Sequence, residues 1–282
     1  MHKNALIFVA LGFFLLGIHP VSAPAVQSPA LPWQELAPGL AFYRWPVKSG
    51  DQHLDTIVLL RIKPEQWSFK VFYNSTPKTL QEWQQITGAP IICNGGFFQE
   101  NFRPAGRILV GGVSHGPWRN KSMKGMFLAE PKKGFEHLPK ARLIDLREEG
   151  VEETIAQYEQ GIQSFPVLLD PKGQVRVNPS SFQANRTVIG QDHQGNILIL
   201  TTEKPFFTLY DLGNYLKKMP LGLTFALNLD GGYRTQLSIV LKNFRYTQSG
   251  QGETQEAARF FFSEGAVKLP SVIGIFPRGG AA

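Results

Sequence analysis

The 282-residue chain is 43% hydrophobic and 18% charged, and its 29 basic and 22 acidic side chains give a formal charge of +7. That balance excludes a disordered chain. One cysteine, Cys93, excludes an intramolecular disulfide framework and any Cys-rich zinc site.

Residues 1–25 have the layout of a secretory signal peptide: Lys3, then the uncharged, mostly apolar run from Ala5 to Ile18, then Ala23-Pro24-Ala25 as a small-x-small cleavage site. The run is short for a bilayer-spanning helix, and no later stretch is long or apolar enough to be one. An exported, periplasmic or secreted protein is expected. Residues 26–39 are Pro- and Ala-rich and read as a linker.

Leu54 to Ile62 and Trp67 to Tyr73 are rich in β-branched and aromatic residues and read as strands. Thr79 to Thr87 reads as a helix stopped at Gly88. Pro90 to Cys93 is a short apolar strand. Ile108 to Val113 and Gly125 to Ala129 are further strands, joined onward by a polar connection from Lys132 to Arg147. Glu152 to Glu159 reads as a short helix. Phe165 to Leu169, Arg186 to Gly190 and Ile197 to Thr202 read as strands between turns. Leu209 to Met219 has helical spacing, with Lys217 and Lys218 suited to the helix dipole. Leu223 to Leu229 and Ser271 to Phe276 are the last strands. No regular βαβ alternation occurs. The expectation is a single α+β domain over residues 40–276, with a mixed or antiparallel β-sheet core, a few peripheral helices and a flexible tail at 277–282.

Two strand-to-turn junctions carry the polar chemistry: Asn94-Gly95-Gly96-Phe97-Phe98, and Asn228-Leu229-Asp230-Gly231-Gly232-Tyr233. Paired glycines permit positive φ and close approach of a ligand to the backbone, and their N–H groups can form an anion nest. Asp230 is a candidate acid, base or metal ligand, and Asn94 a candidate partner for a hydroxyl or carbonyl. Both turns also read as tight turns whose polar side chains bond their own loops. Arg186 opens an apolar strand, where a guanidinium suits phosphate or carboxylate; a plain surface arginine is the competing reading. Gln163 and Ser164 are candidates for sugar-hydroxyl contacts or members of an ordinary loop. Alternation points Cys93 opposite to Asn94, towards the core, and a nucleophilic role would require a nearby histidine. No cofactor-binding motif is identified, and a divalent metal ion stays open. The basic residues are scattered, which argues against nucleic acid; the mild positive field suits phosphorylated or acidic carbohydrate.

In this order the motifs resemble those of the phosphodiester glycosidase family. The matching pieces are the NGGFF turn, Pro104-Ala105-Gly106, the strand from Lys124 to Phe127, QSFPVLL, Arg186-Thr187-Val188-Ile189-Gly190, the N-L-D-G-G turn at Asn228 to Gly232, and a closing P-x-x-I-G strand at Pro270 to Gly274. The resemblance covers about Leu54 to Phe276. It implies turns converging on one cleft and cleavage of the bond between an anomeric sugar carbon and a phosphodiester. It implies Asp230, Asn94 and Arg186 as catalytic residues. Gly95, Gly96, Gln163, Ser164, Thr187, Asn228, Gly231, Gly232, Tyr233 and Arg234 would contact substrate. Family members follow N-L-D-G-G with a small residue and Ser or Thr, whereas here Tyr233 and Arg234 precede Thr235. The expected function is an exported hydrolase of sugar-1-phosphodiester bonds. The alternative is a non-catalytic phosphoglycan-binding envelope protein on the same fold.

Overall fold

The computed structural model describes residues 31–251 and 266–279. The expected signal peptide lies outside the described residues. Within the expected linker, Gln34–Ala37 forms a strand, β1, which pairs with β2 (Leu40–Ser49) across a turn at Gly39 (φ +69°). β2 pairs in turn with β3 (Gln52–Ile62).

β3 explains the character of the whole fold. Its run of aliphatics is buried on both faces: Val58, Leu60 and Ile62 enter a central core, while Ile57 and Leu59 enter a second cluster behind the sheet. Antiparallel strands usually read hydrophobic-in, polar-out; this one reads as a continuous apolar run because both faces are covered.

The chain continues through β4 (Trp67–Thr79), α1 (Leu80–Thr87), β5 (Ile91–Asn94), β6 (Ile108–Val110), β7 (Val113–His115), β8 (Gly125–Pro131), β9 (Ala141–Asp145) and α2 (Val151–Ala156). It then forms β10 (Tyr158–Ser164), β11 (Val167–Leu169), β12 (Thr187–Asp192), β13 (Ile197–Thr202), α3 (Leu209–Lys218) and β14 (Leu223–Asn228). A single 3-10 turn at Gly232–Arg234 leads into β15 (Gln236–Leu241), β16 (Phe244–Ser249) and finally β17 (Lys268–Pro277).

Among the described residues three sheets result, ordered β1-β2-β3-β13-β12-β14-β11, β7-β6-β10-β8-β9 and β16-β15-β5-β17-β4. Their inner faces meet in one core that includes Phe69, Phe127, Ile162, Ile189, Leu227 and Ile273. Each outer face is covered by one helix. Leu212 and Leu216 of α3 pack on the first sheet, Ile155 of α2 on the second, and Leu80 and Trp83 of α1 on the third. The chain is therefore mostly β rather than a balanced α+β, because its helices only close sheet faces.

α1 starts where expected for a local reason. Thr79 Oγ1 accepts from Glu82 N–H (3.1 Å) and Glu82 Oε2 accepts from Thr79 N–H (2.7 Å), a reciprocal capping box, and Gly88 closes the helix at φ +66°. The helix expected at Glu152 to Glu159 ends sooner. Tyr158 instead starts β10 and is fully buried, so sheet packing overrides the local helical preference. The polar connection from Lys132 to Arg147 contains β9, whose Leu143 is buried against the core. The tail expected from residue 277 is anchored at its start: Pro277 ends β17, and Arg278 holds Glu130 through two contacts of 2.7 and 2.8 Å.

Cys93 faces the inter-sheet core at 0% exposure, and burial pushes its thiol up to about 12. Burial thereby disfavours a nucleophilic thiolate at neutral pH. Cys93 is expected to resist a thiol reagent at pH 8 in the native protein and to react fully in denaturant. Labelling at comparable rates in both states would contradict the buried position.

Candidate active site

The two glycine turns meet. Asn94 ends β5, and its Nδ2 donates to the Asp230 carbonyl at 2.7 Å. The Asp230 N–H lies 3.4 Å from the Gly95 carbonyl. The entry to β12 joins them: Leu229 N–H donates to Thr187 O (2.8 Å) and Gly232 N–H to Asn185 O (2.8 Å). Asn94, Arg186 and Asp230 thus converge from three strand ends.

Convergence gives them different roles from those expected. The Asn94 side chain is fully buried and fully engaged. Its Oδ1 accepts from Thr187 Oγ1 (2.8 Å) and Gln236 N–H (3.1 Å), and its Nδ2 reaches Asp230 O and Gly95 O. It braces four segments rather than presenting an amide to substrate. Thr187 is spent on the same brace, and Ser164 Oγ donates to Asn228 O at 2.6 Å. Gln163 points the other way along β10, where its Oε1 accepts from Arg107 N–H (2.8 Å) on the outer face of the second sheet.

The glycines also serve packing. A Cβ on Gly95 would lie 2.5 Å from Ser271 Oγ, one on Gly96 2.8 Å from Ile162 Cγ2, and one on Gly231 2.8 Å from Asn185 O. Gly232 alone of these four takes positive φ (+63°). Close approach of Ser271, Ile162 and Asn185 therefore requires glycine at Gly95, Gly96 and Gly231.

Arg186 is 5% exposed. Its Nε donates to Phe207 O (3.1 Å) and its Nη2 to Phe182 O (2.8 Å), with the guanidinium 5.5 Å from the Phe182 ring centroid. Two of its donor groups hold the approach to β12, so it is a positioning residue rather than an open anion fork.

Asp230 differs from all of these. It is 4% exposed. Oδ1 accepts from Gly231 N–H at 2.9 Å, whereas Oδ2 has no hydrogen-bond donor and faces Arg234 Nη1 at 3.7 Å. Burial pushes the carboxyl up to about 6, against the pull of the Arg234 charge and the Gly231 N–H. Asn228, two residues back, donates to Phe165 O (3.1 Å), and its Oδ1 is also buried without a donor. Two unsatisfied buried acceptors thus lie two residues apart at the end of β14, a costly arrangement that marks a site.

Aromatic rings contact the residues that flank these acceptors. The Arg234 guanidinium lies between Phe98 (4.5 Å) and Tyr233 (4.6 Å), and Phe97 stacks on Phe165 at 4.8 Å. Phe165 and Phe182 are exposed. Sequence reasoning assigned none of the phenylalanines a role, although Phe97 and Phe98 stand inside the NGGFF motif. Another buried carboxyl, Asp55, is likewise pushed up to about 6 by burial, with Oδ1 held by the Thr56 and Lys204 amides. Among the described residues no contact joins it or any second carboxylate to Asp230. Nor is any group of three or more His, Cys, Asp or Glu side chains placed there to hold a metal ion.

The sequence profile described as phosphodiester glycosidase matches residues 87–276, which span β5 to β17 and every residue of this site. The chain belongs to the phosphodiester glycosidase family. Comparison with curated proteins gives no match. Among solved structures, the zebrafish N-acetylglucosamine-1-phosphodiester alpha-N-acetylglucosaminidase catalytic domain, auto-inhibited by its pro-peptide, has a TM-score of 0.58 at 15% identity, over 87% of this chain and 86% of that one. A hypothetical protein from Synechocystis has a TM-score of 0.56 at 16% identity and covers 89% of this chain. This chain spans 64% of the Synechocystis protein. At these identities the likeness is one of fold. In this phosphodiester glycosidase family member the N-L-D-G-G turn runs into Tyr233 and Arg234, and the Arg234 guanidinium faces Asp230 Oδ2 at 3.7 Å.

Asn94→Ala would leave Thr187 Oγ1, the Gln236 N–H and the Asp230 carbonyl buried without their partner. A loss of about 3 kcal/mol or more is expected in urea unfolding. A loss below about 1 kcal/mol would show that the brace carries no weight.

Proposed function

We propose that this protein hydrolyses a sugar-1-phosphodiester, with Asp230 as the essential carboxylate. The observation that carries the reading is the state of Asp230: buried, anchored through one oxygen, and at the other without a hydrogen-bond donor, facing Arg234 at 3.7 Å. In its ionised form Oδ2 takes a proton from an attacking water, or steadies positive charge developing at the anomeric carbon. The water oxygen bonds to that carbon, the carbon–oxygen bond to phosphate breaks, and a free sugar and a phosphomonoester leave. An anomeric phosphate is a good leaving group, so strong protonation is not required. The cation nearest the reaction is Arg234, rather than Arg186, and it opposes the negative charge gathered at the phosphate. The exposed rings of Phe165 and Phe182 offer apolar faces to a sugar.

The proposed setting is outside the cytoplasm, on the strength of the leader-like residues 1–25, with a glycan or glycoconjugate as substrate. The burial of Asp230 beside Arg234 favours one competing reading, a binding protein without turnover. Incubation with a soluble sugar-1-phosphodiester separates the two: saturable binding with no sugar released over long times would support the competitor.

Asp230→Asn is expected to reduce sugar release by at least about a hundredfold. Unchanged turnover would remove Asp230 from the mechanism. The same substitution is expected to stabilise the fold. With the folded carboxyl raised from 3.8 to about 6, stability is greatest below the unfolded pKa and declines as pH rises through about 6. A neutral amide escapes that loss, so the variant should melt higher than the parent at pH 8 but not at pH 4.

Turnover is expected to rise with pH through about 6, as Asp230 ionises. Arg234→Met removes the charge that favours ionisation, and the acid limb of the kcat/KM profile should move to higher pH. A limb that stays in place or moves down would detach it from Asp230.

A further inference from the structure

A cleft lies on the outer face of the β7-β6-β10-β8-β9 sheet, beside α2, with a volume of about 390 Å³. Its floor includes Met126 and Ile155 from the apolar cluster under α2. Its wall carries Trp118, which is 63% exposed. The indole does not hang loose. The Arg107 guanidinium lies 3.7 Å from its ring centroid, and Arg107 is itself fixed by Glu152 (2.8 Å) and Ser114 Oγ (3.1 Å). Arg107 is 6% exposed and held by the part-exposed Glu152, so a fixed guanidinium backs one face of the ring while the indole itself stays exposed.

Three more cations line the same cleft: Arg119, Lys121 and Lys124, all exposed. Among the described residues none of the three forms an ion pair, whereas Arg107 and Arg147 of the same lining are neutralised by Glu152 and Asp145. A rigid aromatic face beside uncompensated positive charge is the chemistry that receives an acidic sugar. The ring takes the C–H face of a pyranose, and the cations take its carboxylate or sulfate.

We infer that this cleft is an accessory binding site for an acidic polysaccharide strand, separate from the Asp230 site. This deepens the proposed glycan-directed function and rests on it for the choice of a glycan. A carbohydrate suits the cleft better than a nucleic acid. The platform is a single indole rather than a series of stacking rings, and Glu148 and Glu152 in the lining supply acceptors for the hydroxyls that a sugar carries in number. The cleft adjoins the proposed active site through one strand end. Gln163 of β10 lines the cleft, while its neighbour Ser164 donates to the Asn228 carbonyl on the inner side. The Lys124 N–H donates to Ser164 O at 3.1 Å, tying the basic rim to the same point.

The test uses the whole protein and titrates it with oligogalacturonate, with a sulfated dextran oligomer, a neutral dextran oligomer and single-stranded DNA as further arms, following tryptophan emission and calorimetric heat. Binding of at least one acidic glycan is expected, weakening with salt, and the two acidic arms show whether carboxylate or sulfate is preferred. Trp118→Ala, and separately Lys121→Glu with Lys124→Glu, should each weaken it by about tenfold or more. Those side chains are exposed, so folding is not at stake, and turnover of a small soluble sugar-1-phosphodiester should be unchanged. Unaltered affinity in both variants would overturn the inference. So would equal affinity for the neutral oligomer, or tighter binding of DNA. Should the parent bind the acidic oligomer in this way yet release no sugar from the small substrate, the proposed hydrolysis fails and the cleft stands.

Discussion

A buried primary amide that bonds four segments at once can be satisfied in one arrangement only. Asn94 is that amide: its oxygen holds the start of β12 and the entry to β15, and its nitrogen holds the backbone at Gly95 and Asp230. Low dielectric makes such a group stringent, since any misplaced partner leaves a polar atom stranded. The position of Asp230 follows from it. The aspartate main chain is bound from one side by Asn94, and Gly232, two residues on, is bound by Asn185 from the other. The carboxyl therefore emerges from a fixed backbone rather than a flexible loop. Arg186 acts in the same sense further out, pinning the carbonyls of Phe182 and Phe207.

This division of labour separates the residues that build the site from the one that carries its charge. The polar side chains of the brace are mutually satisfied. Asp230 Oδ2 and Asn228 Oδ1 are not, and they stand at the strand end that the brace immobilises. Burying a carboxyl beside a single arginine at 3.7 Å is electrostatically poor for the folded chain. Retaining it at the end of a well-packed strand is the kind of local conflict that marks function rather than folding.

Legibility in the sequence follows the range of the interactions. The two glycine turns, Asp230 and the strands that feed them are local patterns, and they were readable: paired glycines and a polar residue closing an apolar run. The reason for the glycines was not. It lies in Ser271 and Asn185, which reach the turns from elsewhere in the chain. For the same reason Asn94, Thr187 and Ser164 read as ligand contacts, because the sequence displays a polar group but not the partner that consumes it. β9 was hidden in a charged stretch, and β15 and β16 in a run that mixes polar and apolar residues without clean alternation. Tyr158 to Ser164 was divided between a helix and a loop because the demand for a strand comes from β6 and β8 on either side. The aromatic contacts of Arg234 were invisible, since Phe98 and Arg234 meet only in three dimensions.

The brace has a kinetic corollary. Its bonds connect residues separated by 93, 136 and 142 positions along the chain. The strand that seats Gly95 is β17, paired with β4 from the other end of the domain. Chains dominated by such non-local pairing are slow to fold, because loop-closure entropy is lost before the contacts compensate for it. Asp230 is consequently an ordinary hydrated aspartate throughout most of the folding process. Its perturbed acidity is conferred only when the most distant segments close, so whatever chemistry the residue performs is withheld from an unfinished molecule.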